Sequence, residues 1–305
     1  MRQVVLIANP ASSGFTGSAF RDVVTILGES FDVTRVWPES AEDATEAAID
    51  AAHQEVFAVV AMGGDGVVNR VANGIVDTGT ALGIIPVGTT NVLARILGVS
   101  KKPRKAARAL ASAIPAGRPI ARIVATVDGK ERTSLATFNV GVGFDADVVE
   151  VAEQRPSAKL FFGSMHYAKT AAAKLIGPYR SKSPNLRVTS GDTTLDAVTV
   201  LVQLHHLYTY FGTAPLKFGP GPFVGTTALV IERLSPLTGA DLLGRAAIHK
   251  PLDGIDGITI LDNAEHLVVE ADPVTRVQAD GELLGAASRV VISTDHDALS
   301  MLVPR

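Results

Sequence analysis

The sequence predicts an N-terminal α/β domain built on a parallel sheet, followed by a C-terminal domain that is mainly antiparallel β. Three observations carry this. The first third alternates short β-branched runs with helix-like segments of about 10 to 15 residues, the rhythm of βα units. From Ile120 onward the chain changes to β-rich runs linked by Gly, Pro and Asp turns. A length of 305 residues with 47% hydrophobic and 19% charged residues is enough to bury a core in one large domain or two modest ones.

Taken in order, strands are expected at Val4 to Asn9, Phe31 to Trp37, Val56 to Met62 and Leu82 to Pro86. Between and after them, helices are expected near Ser18 to Leu27, Glu42 to His53, Val67 to Val76 and Asn91 to Leu97. A further helix, Pro103 to Ile114, ends at Pro115 and Gly117. Strands then follow at Ala121 to Val127, Ala136 to Val142, Leu186 to Thr189, Ala197 to Leu204, Thr227 to Ile231 and His266 to Glu270, interrupted by one helical stretch, Ser157 to Ile176. The last apolar run, Ala298 to Val303, is placed back in the first domain. This sets the domains at 1–120, rejoined by 294–305, and 121–293.

The chain has no cysteine, which excludes a disulfide scaffold, a thiolate metal site and a cysteine nucleophile, and fits a reducing, cytoplasmic compartment. Apolar runs are strand-sized, far short of the roughly 20 residues that span a bilayer, so no transmembrane helix is expected. The N-terminal run Val4 to Ala8 meets an Asn-Pro turn too early for the apolar region of a signal peptide. A formal charge of −3 argues against nucleic acid as a partner of the molecule as a whole.

The strongest local signal is Val59 to Asn69, an apolar strand feeding Gly63-Gly64-Asp65-Gly66 and then a helix. Glycines let a phosphate approach the backbone, and N–H groups of the turn and helix start supply donors. Asp65 repels a phosphate by itself; it fits as a Mg²⁺ ligand, as a base, or as the helix cap of an ordinary βα turn. The next strand feeds a second glycine turn, Pro86-Val87-Gly88-Thr89-Thr90-Asn91. In a parallel sheet both turns leave the carboxyl ends of their strands, the edge where ligands bind. Thr89 and Thr90 offer hydroxyls to phosphate, and Asn91 either caps the next helix or binds ligand. Asn9-Pro10-Ala11-Ser12-Ser13-Gly14 follows the first strand in the same manner.

Together with Asn139-Val140-Gly141-Val142-Gly143-Phe144-Asp145 and Asp280-Gly281-Glu282, these segments resemble the diacylglycerol kinase catalytic-domain family, in its order and over residues 9 to 282. That family includes soluble bacterial lipid kinases and sphingosine kinases. The resemblance implies a NAD-kinase/phosphofructokinase-like α/β domain that binds ATP and Mg²⁺. It implies a β-rich lipid-substrate domain beside it, and phosphoryl transfer to the hydroxyl of diacylglycerol or a related lipid alcohol. By position it assigns Asn9, Gly63, Gly64, Asp65, Gly66, Val67, Val68, Asn69, Gly88, Thr89, Thr90, Asn91 and Asp280 to the nucleotide. Asp65 is assigned to the metal through ATP-Mg²⁺, and Glu282 to the proton of the lipid hydroxyl, with Asp65 as the other candidate base. In-line phosphoryl transfer needs such charge neutralisation and a carboxylate within reach of the attacking hydroxyl.

The chain departs from the family pattern at Val67, where Thr is usual, at Arg70, where an acidic residue is usual, and at Val92, often Asp. Phe223-Val224-Gly225 stands where bacterial members can carry an Asp-Gly for a structural Mg²⁺, which puts that site in question. Competing readings are a soluble-substrate kinase of the NAD kinase type and a noncatalytic lipid- or nucleotide-binding regulator.

Other features are less specific. His205 and His206 are adjacent on a strand and point to opposite faces, which disfavours a shared metal. Asp253 to Gly257 reads as two turns. Trp37, the single tryptophan, ends the second strand, as a rim residue or as a surface for a base. From Gln154 to Gly191 there is no Asp or Glu, while Arg155, Lys159, Lys169, Lys174, Arg180, Lys182 and Arg187 interleave with Phe161, Phe162, Tyr167, Leu175 and Tyr179. That segment reads either as a solvated helix over the β domain or as a peripheral contact with an anionic membrane. Lys101, Lys102, Arg104, Lys105 and Arg108 read as a solvated helix start.

Overall fold

A computed structural model describes residues 1–153, 170–171, 173–211, 214–218, 226–248, 250 and 252–304. The chain divides into two compact units, Met1–Ile120 with His296–Arg305, and Ala121–Asp295.

In the first unit, β1 (Arg2–Ala8) pairs in parallel with β2 (Phe31–Val36) and β3 (Ala58–Gly63), and β3 pairs in parallel with β4 (Ala81–Pro86). Both β3 and β4 are buried along their whole length, which is why they read as unbroken apolar runs. The last residues of β16 (Glu282–Val303) add to β4 in parallel, with Met301 opposite Leu82. Helices α1 (Gly17–Gly28) and α2 (Ala41–His53) are capped by Thr16 and by a Ser40–Asp43 capping box. They are followed by α3 (Asp65–Ile75), α4 (Val92–Ile96) and α5 (Pro103–Ala111). Close packing of α2 on α3 needs Gly74, where a Cβ would lie 2.7 Å from both the Thr45 carbonyl and the Ala48 methyl.

The fifth helix is shorter than its predicted extent: it ends at Ala111, and Ile114 instead opens β5 (Ile114–Val127). Pro115 pushes the residue before it out of the helical region, and strand pairing takes over through Pro119.

The second unit contains the rest of β5, with β6 (Lys130–Ala136), β7 (Asn139–Gly143), α6 (Phe144–Glu153), β8 (Leu186–Ser190), β9 (Thr193–Ala197) and β10 (Thr199–Gln203). Then come β11 (Thr209–Phe211), β12 (Ala214–Leu216), β13 (Thr227–Ile231), α7 (Pro236–Ala247), β14 (Ile258–Leu261), β15 (His266–Ala279) and most of β16. The sheet runs β14-β13-β10-β7-β15-β16, and its neighbours pair antiparallel. The antiparallel expectation therefore holds. The expectation of a single helical stretch does not, since α6 and α7 are helical where no helix is expected. The predicted stretch Ser157 to Ile176 lies mostly outside the described residues; those described, 170–171 and 173–176, are helical. On β10, Val200 and Val202 enter one apolar cluster while Leu201, with Val198 just before the strand, enters another with Leu175, Tyr179 and Leu242, so the strand is covered on both faces. Among the described residues no helix is long and apolar enough to cross a membrane.

Candidate active site

Strand order β2-β1-β3-β4 reverses direction between β1 and β3, and the loops leaving their carboxyl ends flank that switch point. Three loops are tied together there. Asn9 N–H donates to the Met62 carbonyl at 3.1 Å, Gly14 N–H to the Val87 carbonyl at 2.8 Å, and Val87 N–H to the Gly63 carbonyl at 3.0 Å. Side chains of Ser13 and Thr89 share a hydrogen bond of 3.1 Å. The second and third loops meet backbone to backbone: a Cβ on Gly88 would collide with the Gly64 Cα, and one on Gly14 would sit 3.0 Å from the Val87 oxygen. These glycines are dictated by approach rather than by φ.

Gly64 caps α3 without a side-chain hydrogen bond, so no cap side chain stands in front of the first turn. Gly63 lies against Val67, whose Cβ would be 2.6 Å from a Cβ at position 63. Val67 thus packs its own turn. Val68 and Asn69 are buried, and the Asn69 side-chain oxygen accepts from Asn73 at 2.9 Å. Asn91 has φ +51° and spends its amide inside its own loop: Gly88 N–H donates to its oxygen at 3.0 Å, and its nitrogen donates to the Gly88 carbonyl at 2.7 Å. Asp65 Oδ1 accepts from Leu93 N–H at 3.2 Å, in the first turn of α4. It is the one acidic residue that the three loops contain. A magnesium ion on nucleotide phosphates takes one or two protein carboxylates, and Asp65 fits that donor set. Among the described residues no group of three or more His, Asp or Glu forms a metal cage. Phe223-Val224-Gly225 lies outside the described residues.

In the second unit Asp280 and Gly281, with φ +53° and +83°, form the two-residue turn joining β15 to β16, and Glu282 pairs with Ala279 just beyond it. The buried Asp280 carboxylate accepts from Thr137 N–H and hydroxyl at 2.7 Å each, from Phe138 N–H at 2.9 Å and from Asn139 N–H at 3.1 Å. It clamps the start of β7. Glu282 is half-buried.

Beside this turn lies a network the sequence did not announce. Tyr208 O–H donates to Asp145 Oδ2 at 2.6 Å, and Gln278 Nε2 donates to the same oxygen at 2.7 Å. Burial raises the Asp145 carboxyl above the usual carboxylate range, opposed by these two hydrogen bonds. Burial also raises the Tyr208 phenol, reinforced by Asp145. Tyr208, Gln278 and Asp145 are far apart in sequence, so only the Asp145 motif hinted at the cluster.

The remaining candidates are placed as follows. His205 is buried, with Nε2 2.9 Å from the Thr137 carbonyl. Asp253 to Gly257 forms two turns with Gly254 and Gly257 at positive φ. Trp37 is 46% exposed and packs on Phe20 and Phe15, the latter from the loop after β1. Of the basic stretch, Arg155, Lys159, Lys169, Phe161, Phe162 and Tyr167 lie outside the described residues. Leu175 and Tyr179 belong to the core rather than to the surface, while Ile176, Arg180 and Arg187 are exposed.

Residues 3–119 match the model of the diacylglycerol kinase catalytic domain. The family resemblance is therefore seated on the α/β unit. Over 64 residues the chain is 50% identical to the diacylglycerol kinase of Bacillus subtilis (strain 168), covering 20% of this chain and 21% of that one. An uncharacterized Synechocystis protein is 27% identical over 74% of this chain and 50% of its own. A Staphylococcus aureus (strain JH9) protein provisionally named a lipid kinase is 24% identical over 75% of this chain and 72% of its own. The matches thus span a fifth and a half of the first two relatives. Among solved structures, a provisionally assigned diacylglycerol kinase from Bacillus anthracis str. Sterne has a TM-score of 0.78 at 21% identity, covering 99% of this chain and 95% of that one. Yeast NADH kinase complexed with NADH reaches 0.52 at 13% identity, covering 100% and 84%. The shared feature of these two likenesses is the fold.

Proposed function

We propose that the protein is a lipid kinase that transfers the γ-phosphate of ATP to the hydroxyl of diacylglycerol or a related lipid alcohol. The observation that carries this reading is the approach of Gly64 to Gly88 at the carboxyl edge of the parallel sheet, with Asp65 opening α3 beside it. That arrangement offers backbone donors to phosphate oxygens and one carboxylate to the Mg²⁺ that travels with them. Bound Mg²⁺ supplies neutralisation of the charge on the transferring group. Thr89 and Thr90 add hydroxyls, and Glu282 takes the proton of the attacking lipid hydroxyl. The lipid acceptor is supported by the names of the relatives, and a peripheral stay on anionic membrane, through Arg155 to Arg187, by exposed Ile176, Arg180 and Arg187.

The test is incubation with γ-labelled ATP, Mg²⁺ and a panel of micellar lipid alcohols, with NAD as the soluble competitor. Labelled lipid is the expected product; labelled NAD alone would overturn the reading. Glu282→Gln should lower turnover by about 100- to 10,000-fold while ATP affinity stays near wild type, because the amide keeps its size but cannot accept the proton. Turnover within about threefold of wild type would move the base to Asp65.

A further inference from the structure

We propose that Gln278 is a positioning residue for Glu282, fixing the turn that delivers this carboxylate by engaging both ends of its side-chain amide. The inference rests on the role given to Glu282 above. Gln278 is 1% exposed. Its Oε1 accepts from Gly281 N–H at 2.7 Å, inside the turn, and its Nε2 donates to Asp145 Oδ2 at 2.7 Å, with Asn139 Oδ1 at 3.2 Å and Tyr208 Oη at 3.3 Å. A two-residue Asp-Gly hairpin forms from backbone preference alone. A buried amide is therefore not needed to make the turn, and it is costly unless every polar atom is satisfied.

Two further features are built around the same residue. The register between β15 and β16 slips at this point, from Val277 opposite Gly285 to Gln278 opposite Leu283, so Leu284 is an extra residue and Gly285 takes φ +118°. Such a bulge re-aims the side chains beside it, here those leading to Glu282. On the facing strand, a Cβ on Gly141 would overlap Asp145 Oδ2 and lie 2.7 Å from Gln278 Nε2, so glycine there clears the backbone for the Gln278–Asp145 contact. A polar contact that shapes the strands on both sides sets orientation as well as stability.

Two substitutions separate orientation from folding. Gln278→Leu removes both contacts and should lower kcat by about tenfold or more with the KM for ATP within about twofold, the pattern of a misplaced reacting group. Gln278→Glu keeps an acceptor for Gly281 but sets a carboxyl against Asp145, with Tyr208 and the turn residue Asp280 as the other titratable neighbours. When protonated, that carboxyl both accepts from Gly281 and donates to Asp145. Activity of Gln278→Glu relative to wild type should therefore recover as pH falls. Wild-type kcat in Gln278→Leu, or losses that merely follow the folded fraction with no relative recovery at low pH, would overturn the proposal. Hydrogen exchange of the Gly281 amide gives a readout apart from activity: protection in wild type and its loss in Gln278→Leu are expected, and equal exchange in both overturns the hold on the turn. Wild-type protein that transfers no phosphate would instead sink the kinase reading, leaving the exchange result to judge Gln278.

Discussion

Asp65 does not cap α3, the helix of its own turn, whose N-cap is Gly64; it reaches across to α4 instead. Its Oδ1 caps the first turn of α4, whose own N-cap Asn91 makes no side-chain capping bond, and the same carboxylate is the one acid in the three loops. Substitution splits the roles. Asp65→Asn retains an acceptor for Leu93 N–H, so its thermal midpoint should stay near wild type while phosphoryl transfer is lost. Asp65→Ala should lose transfer and also about 1 kcal/mol of stability, the usual cost of a missing cap, read from denaturant unfolding. Near-normal turnover in Asp65→Asn would reduce the residue to a cap. The turn itself was legible because its glycines, acid and helix start are contiguous in sequence. Asp280 was not, since its hydrogen-bond partners Thr137, Phe138 and Asn139 lie on a distant strand start, and nothing local distinguishes a carboxylate in such a nest from a solvated turn residue.

Elements repeat the same lesson with different physics. The parallel strands β1, β3 and β4 are covered on both faces and are visible as apolar runs, and the capping residues of α1 and α2 stand where their helices begin. By contrast β6 is exposed over Lys130 to Thr133 and carries no apolar run, and α7 contains Pro236 and Gly239, so neither announced itself. Gly239 lies against the Leu175 side chain, whose terminal methyl would be 2.9 Å from a Cβ there, a tertiary contact that no local pattern carries. The loop pair at the sheet edge yields a prediction of its own. Gly88→Ala must push the third loop off Gly64, at a cost of about 1–3 kcal/mol, and should weaken ATP binding in calorimetry. Wild-type binding should also change the emission of Trp37, because that ring packs on Phe15 of the loop that bonds Val87. Unaltered ATP affinity in a folded Gly88→Ala protein would place the phosphates elsewhere.

On the scale of the whole chain, the decisive element is β16, whose 22 residues begin at Glu282 in one unit and end in the other. Its middle, Thr294 to Asp297, is polar and runs from half-buried Thr294 and Asp295 to exposed His296 and Asp297, so only Ala298 to Val303 stands out as an apolar run. Those last residues supply structure that the N-terminal segment does not contain: Leu299 and Met301 are fully buried, Met301 pairs with Leu82 of β4, and Asp77 N–H donates to the Ala298 carbonyl at 2.9 Å. The three glycine-bearing loops therefore stand on a sheet completed by the far end of the sequence. Met301→Ala should cost about 2–5 kcal/mol, as for other fully buried large side chains, because the site is closed on all sides and cannot collapse easily. The loss should appear as a lower midpoint in urea and, at temperatures where the variant is partly unfolded, as lost ATP binding. Exposed Ile114→Ala, 51% accessible at the start of β5, serves as the control and should change stability by less than about 0.5 kcal/mol. Equal midpoints for Met301→Ala and wild type would mean that the returning strand is dispensable to the α/β unit.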